Sequence, residues 1–225
     1  MLQLINAFLE FGYEVTFGCT AAKTAFSLDL DTLGVKEVAI QLNHVSFDGF
    51  IQDLNPNVVV FDRFMTEEQF GWRVAEFTPE TVRILNTEDL HSLRKSREEC
   101  FKKGEEFKEG HWKNHPMTLR EMSSIYRSDL TLMISNFEME LLAQKAHVPE
   151  NLLKHLPFML DVPGEEQLAS WPNFDQRRGF LCVGNGKHLP NVEAIKTLRK
   201  TIWPIIRQRL PKAELCIYGA YLPPQ

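Results

Sequence analysis

The chain alternates short apolar, β-rich runs with helical stretches along nearly its whole length, and this alternation restricts the fold more than any other feature. The clearest run is Val58–Phe61 (VVVF), a continuous apolar segment typical of a strand buried on both faces of a parallel sheet. Strands that alternate with helices connect through right-handed βαβ crossovers. The sequence therefore predicts an α/β fold with a doubly wound, Rossmann-like parallel sheet.

The predicted strands are short runs of β-branched and aromatic residues bounded by turn residues. They are Tyr13–Phe17, Val38–Leu42, Val58–Phe61, Val82–Leu85, Leu130–Ile134, Phe180–Val183 and Glu214–Tyr218, with a further extended piece at Lys154–Pro157. The predicted helices have apolar residues at helical spacing or acidic residues in the first turn. They are Leu2–Phe11, Leu28–Leu33, Phe47–Leu54, a helix that starts near Thr66, Leu90–Lys108, Thr118–Arg127, Phe137–Lys145 and Asn191–Leu210 with a kink at Pro204.

Local signals mark some of the expected helix ends. Gly34 is expected to end the helix before it, because glycine readily adopts the left-handed conformation found there. Thr118 and Glu121 form a capping-box pattern at the start of their helix. Asn136 is expected to cap the helix that follows the Leu130–Ile134 strand.

A break in the pattern at Asp161–Arg178 divides the chain. This stretch lacks periodicity and is interpreted as a linker between an N-terminal domain, residues 1–160, and the start of a second domain, residues 179–225. Two strands and one helix cannot cover both faces of a sheet. The first domain also begins with a helix, although the first strand of such folds normally carries the phosphate-binding glycines. We therefore expect a piece of a larger protein, with a genuinely short protein as the alternative.

Composition excludes several classes of protein. The chain is 44% hydrophobic and 24% charged, which is ordinary for a folded domain. Its net charge of -5 argues against a nucleic-acid-binding protein, and no apolar run reaches the ~18 residues of a membrane-spanning helix. The four cysteines are far apart, and Met1–Phe11 lacks the basic leader of a signal peptide. A cytoplasmic protein with reduced thiols is expected.

Several stretches carry a resemblance to a known family. They are Leu2–Phe17, Pro56–Phe61, Ile84–Arg97, Arg127–Glu138, Phe180–Ala194 and Trp203–Gly219. In this order they resemble passages of family 4 glycosyltransferases, which have the GT-B fold of two Rossmann-like domains. For example, RSDLTLMISNFE resembles the family's A-D-x-V-x-x-x-S-x-x-E, and FLCVGNGKHLPNVEA resembles F-V-G-x-x-x-H-x-P-N-x-D-A. Asn57 departs from the pattern, since the family has Asp there.

The resemblance implies a transferase that moves a sugar from a nucleotide-sugar donor to an acceptor, usually with retention at the anomeric carbon. The nucleotide-sugar is then a substrate, and neither a cofactor nor a metal is expected. The family's donor-binding E-x7-E motif would lie beyond residue 225, so the chain alone is expected to be inactive. The acceptor, which is a sugar, a lipid-linked group or a protein in such enzymes, is not identified.

A glycine turn after the Phe180–Val183 strand resembles the family's donor-side loop. Backbone N–H groups at such a turn, followed by a helix N-terminus, suit a diphosphate. Many relatives supply both an Arg and a Lys, and here only a lysine is nearby. The alternative is a plain strand-to-helix turn that needs glycine for its geometry. The candidate donor-binding residues are Gly184, Asn185, Gly186, Lys187 and Asn191, the last as a helix cap.

The segment Thr87–His91 follows a predicted strand at its carboxyl end, where open α/β sheets bind ligands. Asp89 and His91 are the candidate catalytic residues, because a carboxylate beside an imidazole orients sugar hydroxyls and assists proton transfer. Thr87 is a candidate substrate-binding residue, since family members place a polar residue here. The alternative is that Thr87 or Asp89 caps the next helix, with His91 in its first turn.

Further candidates for substrate binding are Asp62 and Arg63, at the end of the VVVF strand, and Arg94. Arg94 and Arg97 lie one helical turn apart and could meet an anionic acceptor, although such a pair is more often a solvated helix face. The Ser135–Glu138 spacing resembles the family, and its simplest use is helix capping.

No metal site is predicted. His111 and His115 have the i, i+4 spacing of zinc ligands, but Pro116 follows them and an acidic partner is missing. Two alternatives to a glycosyltransferase remain open. One is a sugar-nucleotide epimerase of the GT-B fold, and the other is a non-catalytic interaction module derived from a transferase.

Overall fold

The computed structural model describes residues 1–25 and 27–222 of the chain. The chain divides into two compact units, Met1–Leu160 and Asp161–Gln225. Within the described residues, no helix has both the length and the apolar character required to cross a lipid bilayer.

The first unit begins with a small parallel sheet. Helix α1 (Leu2–Glu10) precedes strand β1 (Thr16–Cys19), and strand β2 (Lys36–Ala39) pairs with β1 so that Thr16 lies beside Lys36. The helix predicted at Leu28–Leu33 is a 3-10 turn, Leu30–Leu33, which Gly34 ends with a positive φ of 76° as expected. Buried Ile5, Leu30 and Val35 pack together and hold α1 on this sheet.

The rest of the first unit is a four-stranded parallel sheet with the order β3-β4-β5-β6. Its elements, in chain order, are α2 (Ser46–Leu54), β3 (Val58–Asp62), α3 (Phe64–Phe77), β4 (Val82–Glu88), α4 (His91–Lys103), α5 (Glu109–Lys113), α6 (Pro116–Arg127), β5 (Leu130–Met133), α7 (Asn136–Lys145) and β6 (Leu153–His155). All strand pairs are parallel and helices flank the sheet. The predicted α/β class with a doubly wound parallel sheet is confirmed.

A core of large apolar side chains holds this sheet to its helices. Trp112, Leu85, Leu90 and Ile125 are fully buried, and the Phe47 and Phe70 rings of α2 and α3 lie 4.6 Å apart. The members of this core from the sheet and α7 are Phe61, Met133, Leu142 and Leu153. Burying each such side chain stabilises the fold by about 1.5–3 kcal/mol, so the core fixes where the strand ends lie.

The second unit contains α8 (Glu165–Ser170), β7 (Phe180–Val183), α9 (Leu189–Thr197), α10 (Trp203–Arg209) and β8 (Leu215–Tyr218). Strands β7 and β8 pair in parallel, with Phe180 beside Leu215. A π-helical segment, Leu198–Ile202, joins α9 to α10 just before Pro204. Proline lacks an N–H and crowds the preceding turn, so the predicted kink takes the form of a widened turn.

Several predicted boundaries are wrong. The helix expected to reach Lys108 ends at Lys103, because Gly104 adopts a left-handed φ of 69°. Ser135, rather than Asn136, caps α7 by accepting a hydrogen bond from the Glu138 N–H at 3.3 Å. The stretch interpreted as a linker, Asp161–Arg178, contains helix α8 and a 3-10 turn at Phe174–Gln176, which its lack of periodicity did not indicate. The ends of a helix are harder to predict from sequence than its interior, because neighbouring elements compete for the unpaired N–H and C=O groups there.

Candidate functional site

Strands β3 and β4 end side by side at one edge of the four-stranded sheet. Asp62, the last residue of β3, pairs with Asn86 of β4, and the Arg63 N–H donates to the Asn86 carbonyl at 2.8 Å. After this edge, β3 leads into helix α3 and β4 leads into helix α4. This is the carboxyl edge of the sheet, where open α/β folds bind ligands.

The backbone is strained at both strand ends. Arg63 has φ 71° and ψ 156°, a region that is nearly exclusive to glycine, and Glu88 has φ 61°. The β4–β5 pairing also shifts register between Asn86 and Glu88. Such conformations cost about 1–3 kcal/mol each and are concentrated at functional sites. The two strained residues face each other, with Arg63 Nη2 4.0 Å from Glu88 Oε2.

Asp89 links the candidate catalytic histidine to an arginine. Its Oδ1 lies 3.5 Å from His91 Nε2, and its Oδ2 lies 3.0 Å from Arg94 Nη1. The His91 ring also packs edge-on against the buried Phe64 ring, at 5.8 Å between centroids. The structure therefore brings Asp89 and His91 together, as predicted, adds Arg94 to them, and holds the imidazole between a carboxylate and an aromatic ring.

The surroundings of the His91 imidazole favour its neutral form. Burial lowers its pKa below the usual 6.5, and the positive charges of Arg94 and Arg63 act in the same direction, while Asp89 and Glu88 oppose them. A carboxylate near Nε2 favours the tautomer that carries its hydrogen there. Nδ1 is then left as a proton acceptor near neutral pH, which is the state a general base requires.

Two carboxylates from other helices cap the N-terminus of α4. Its first turn offers no side-chain cap of its own, because Leu90 occupies the N-cap position. Glu121 of α6 accepts from the His91 and Ser92 N–H groups at 2.9 and 3.1 Å, and Glu138 of α7 accepts from the Leu90 N–H at 3.1 Å. Carboxylates stabilise this end of a helix because its N–H groups are unpaired and its dipole is positive.

The capping box predicted at Thr118 and Glu121 is therefore wrong. Helix α6 begins two residues earlier, and His115 caps it by accepting from the Met117 N–H at Nδ1. The Thr118 hydroxyl donates instead to the Trp112 carbonyl at 2.6 Å. Glu121 faces away from its own helix start, because the packing of α6 places it against α4.

Glu121 is the most strongly perturbed acid near this edge. Burial raises its pKa to about 7, although donors from Ser92 and His91 lower it. The Ser92 hydroxyl donates to Glu121 Oε2 at 2.5 Å and in turn accepts from Trp112 Nε1–H at 2.9 Å. Burial also raises the pKa of Glu138. Sequence reasoning missed this network, since Glu121 already fitted a local capping pattern.

Two of the predicted substrate-binding residues, Asp62 and Thr87, differ in their hydrogen bonding. Asp62 Oδ1 is buried and has no hydrogen-bond partner among the described residues. Thr87 is fully buried, and its hydroxyl donates to the Leu132 carbonyl of β5 at 3.0 Å. The Thr87 hydroxyl thus bonds within the sheet and is not exposed to a ligand, and it caps no helix.

Arg94 and Arg97 do not act together. Arg94 pairs with Asp89, whereas the Arg97 guanidinium lies over the Phe107 and Phe137 rings at 5.3 and 5.9 Å. The two arginines therefore lie in separate environments and do not form the shared site that was expected for an anionic acceptor. Only Arg94 lies at the strand edge.

In the glycine turn of the second unit, the backbone N–H groups already have partners in the same chain. The Gly184 N–H donates to the Tyr218 carbonyl and the Gly186 N–H to the Ala220 carbonyl, both at 2.9 Å. A Cβ atom on Gly186 would overlap the Tyr221 carbonyl oxygen. These glycines are thus needed for close backbone packing, and their N–H groups are not directed at an open phosphate site.

The remaining donor-loop candidates are arranged locally. Asn185 Oδ1 accepts from the Lys187 N–H at 2.9 Å, and the Lys187 ammonium lies 3.8 Å from the centre of the Tyr221 ring. Asn191 lies inside α9, whose N-cap position is His188, so its expected role as a cap is wrong. Lys187 thus contacts an aromatic ring of its own unit.

No protein-family model matches the chain, and no curated protein matches it.

Proposed function

We propose that this chain supplies the acceptor-binding part of a glycosyltransferase that takes a nucleotide-sugar as donor. The observation that carries the proposal is the arrangement at the edge of β3 and β4, where Asp89 holds His91 and Arg94 beside the strained Arg63. The resemblance to family 4 glycosyltransferases supports the same function.

The arrangement suits a sugar acceptor chemically. A sugar hydroxyl is both a donor and an acceptor, so a mixed set of carboxylates and guanidinium groups binds it in a fixed orientation. Asp89 supplies a carboxylate, and the partly exposed Arg63 and Arg94 supply donors at the same edge. A neutral His91 takes the proton that the acceptor hydroxyl loses as the new glycosidic bond forms, while the bond between the donor sugar and its diphosphate breaks and the nucleoside diphosphate leaves.

Donor binding is the second part of the proposal. Lys187 carries it, because an ammonium group neutralises a diphosphate and the family places positive charge on this loop. The occupied N–H groups of Gly184 and Gly186 mean that the side chain, rather than the backbone turn, makes this contact.

Saturation-transfer NMR tests acceptor binding directly. The chain is mixed with a panel of monosaccharides, disaccharides and sugar phosphates, and transfer to each sugar is measured. We expect transfer to at least one sugar, with loss in His91→Ala and Asp89→Asn. His44→Ala is the matched control, because His44 is exposed in the same unit and, among the described residues, its ring hydrogen-bonds only Ser46.

An absence of transfer to every sugar, or equal transfer in wild type and His91→Ala, would contradict the proposal. Either result would favour the alternative of a non-catalytic interaction module.

A further inference from the structure

A cysteine, a glutamate and a histidine meet at the opposite end of α4 from His91. The Cys100 Sγ, a carboxylate oxygen of Glu105 and a ring nitrogen of His111 all lie within 4.8 Å of one another. They line a cavity of about 510 Å³. Cys100 is buried, whereas Glu105 and His111 are exposed and free to adjust. The candidate functional site uses none of the three.

The sequence builds this cluster through the end of α4. Gly104 adopts the left-handed conformation, so that its N–H donates to the Phe101 carbonyl at 3.1 Å and the Glu105 N–H donates to the Cys100 carbonyl at 2.9 Å. This Schellman arrangement folds the chain back over the last helical turn. Glu105 is thereby returned to the side of Cys100, five residues earlier in the chain.

The short helix α5 then presents the histidine. The His111 N–H donates to the Lys108 carbonyl and His111 Nδ1 accepts from the Lys108 N–H, each at 2.9 Å. This reciprocal pairing holds the ring over the cavity. Because Lys108 is exposed at the start of a helix, its N–H can pass to water when Nδ1 takes another partner.

We propose that Cys100, Glu105 and His111 bind a zinc ion. Thiolate, imidazole and carboxylate are zinc's protein ligands, whereas calcium and magnesium avoid sulfur. Tetrahedral zinc holds such donor atoms about 3.3–3.6 Å apart, given bond lengths of about 2.0–2.3 Å. The two exposed ligands need to move by about 1 Å to reach this geometry, and water completes the tetrahedron. On binding, the Cys100 thiol gives its proton to solvent, and a ring nitrogen of His111 supplies its lone pair to the metal.

The charges around the cavity are mixed. Glu99 lines it together with Glu105, and a bound thiolate adds a third negative charge. Lys103 and Lys108 also line it, but both are exposed and their flexible side chains can extend into water. Counted with both lysines, the charged side chains of the lining sum to zero before binding and to one negative charge once the thiol has lost its proton.

The prediction from sequence, that His111 and His115 lack an acidic partner, considered the wrong pair. His115 is used elsewhere, since its Nδ1 caps α6 and its Nε2 lies 3.4 Å from Glu99 Oε1. The partners of His111 come from the end of α4, six and eleven residues before it in the chain.

The test uses the full chain with Zn²⁺ and Co²⁺ alone. Isothermal titration calorimetry measures Zn²⁺ binding, and absorption spectroscopy detects the thiolate-to-cobalt charge-transfer band. We expect one equivalent of metal and a charge-transfer band in wild type. Cys100→Ser should lose the band, and Glu105→Gln should weaken Zn²⁺ binding by at least about tenfold, since even loss of a supporting group costs about 10–100-fold.

Cys216→Ser is the matched control, because Cys216 is an exposed free cysteine of the second unit and should leave both signals unchanged. Glu105 is exposed, so Glu105→Gln tests the site without disturbing the core. The proposal is overturned if wild type binds no stoichiometric Zn²⁺, if the cobalt band persists in Cys100→Ser, or if Glu105→Gln binds Zn²⁺ as tightly as wild type.

Discussion

At the scale of single residues, the strand edge depends on acids that serve helix α4. Glu121 is buried and accepts from both the His91 N–H and the Ser92 N–H. It thereby fixes the start of the helix that carries His91. The position of the candidate catalytic histidine therefore depends on the protonation state of the Glu121 carboxyl group.

The protonation of Glu121 should make stability depend on pH. Burial raises its folded pKa from 4.5 to about 7, so the folded state binds the proton more tightly than the unfolded state. Its stabilising contribution is complete below about pH 4.5 and is lost as the pH rises through about 7, a change of up to about 3 kcal/mol. Urea unfolding of Glu121→Gln should show a flatter profile between about pH 5 and 7.5. Glu140→Gln, on the exposed face of α7, should keep the wild-type slope.

Asp89 should raise the pKa of His91. Its negative charge is the strongest influence that opposes the effect of burial. Asp89→Asn should therefore move the His91 titration to still lower pH, measured by NMR of the imidazole ring. An upward shift at His91 would contradict the electrostatic account.

At the scale of elements, α3 and α6 are joined by a buried ion pair. Arg127 donates to both carboxylate oxygens of Glu67, at 2.9 and 2.5 Å, and the Glu67 side chain is only 2% exposed. A Cβ atom on Gly71 of α3 would overlap Glu67 Oε1, so this glycine makes room for the pair. The packing of α6 that results from this pair also brings Glu121 to α4.

Removing Arg127 should leave a buried carboxylate unpaired. Arg127→Ala is expected to lower the free energy of unfolding by about 2–4 kcal/mol, since breaking a buried pair costs about 3–5 kcal/mol and Arg127 itself is 43% exposed. Arg120→Ala is the control from the same helix, because its pair with Glu68 is 54% and 23% exposed and should contribute at most about 1 kcal/mol. Equal losses by urea unfolding would contradict this difference.

Two helical glycines should respond in opposite directions to alanine. Alanine normally stabilises a helix interior relative to glycine by about 0.5–1 kcal/mol. Gly49→Ala in α2 should follow this rule, because no described atom lies within 4 Å of the position that its Cβ would take. Gly71→Ala should destabilise the protein, because the new methyl group collides with the clamped Glu67. Thermal unfolding measures both changes.

At the scale of the whole molecule, the two units differ in how much they bury. The first unit holds the large apolar core around Trp112 and Leu85. Among residues 161–222, no hydrophobic side chain is fully buried, and Leu181 and Val183 of β7 are 67% and 72% exposed. Two strands with so little buried surface have little independent stability.

Hydrogen exchange should separate the two units. Amides of β4 and β5 are expected to exchange at least about 100-fold more slowly than those of β7 and β8, because protection follows the local free energy of opening. Mass spectrometry of peptides from each strand measures the ratio. Similar protection in all four strands would show that the second unit is more stable than its burial indicates.

The sequence by itself determined the class of fold and the edge of the sheet where the candidate site lies. The VVVF run, the glycine ends of helices and the alternation of strands with helices are local signals, because hydrogen bonding and side-chain periodicity act over a few residues. They placed Asp89, His91 and Arg94 after one strand and Arg63 after its neighbour, whereas Asp62, expected after that strand, is its last residue.

Only the tertiary structure decided which groups meet across elements. Glu121 fitted a capping pattern on its own helix, yet it caps α4, because a carboxylate pairs with whichever N–H groups packing brings near. The same holds for Glu105 and His111, which only the turn at Gly104 brings to Cys100. Local patterns determine which elements form, whereas the shape of the packed core determines their partners, and that shape depends on the whole chain at once.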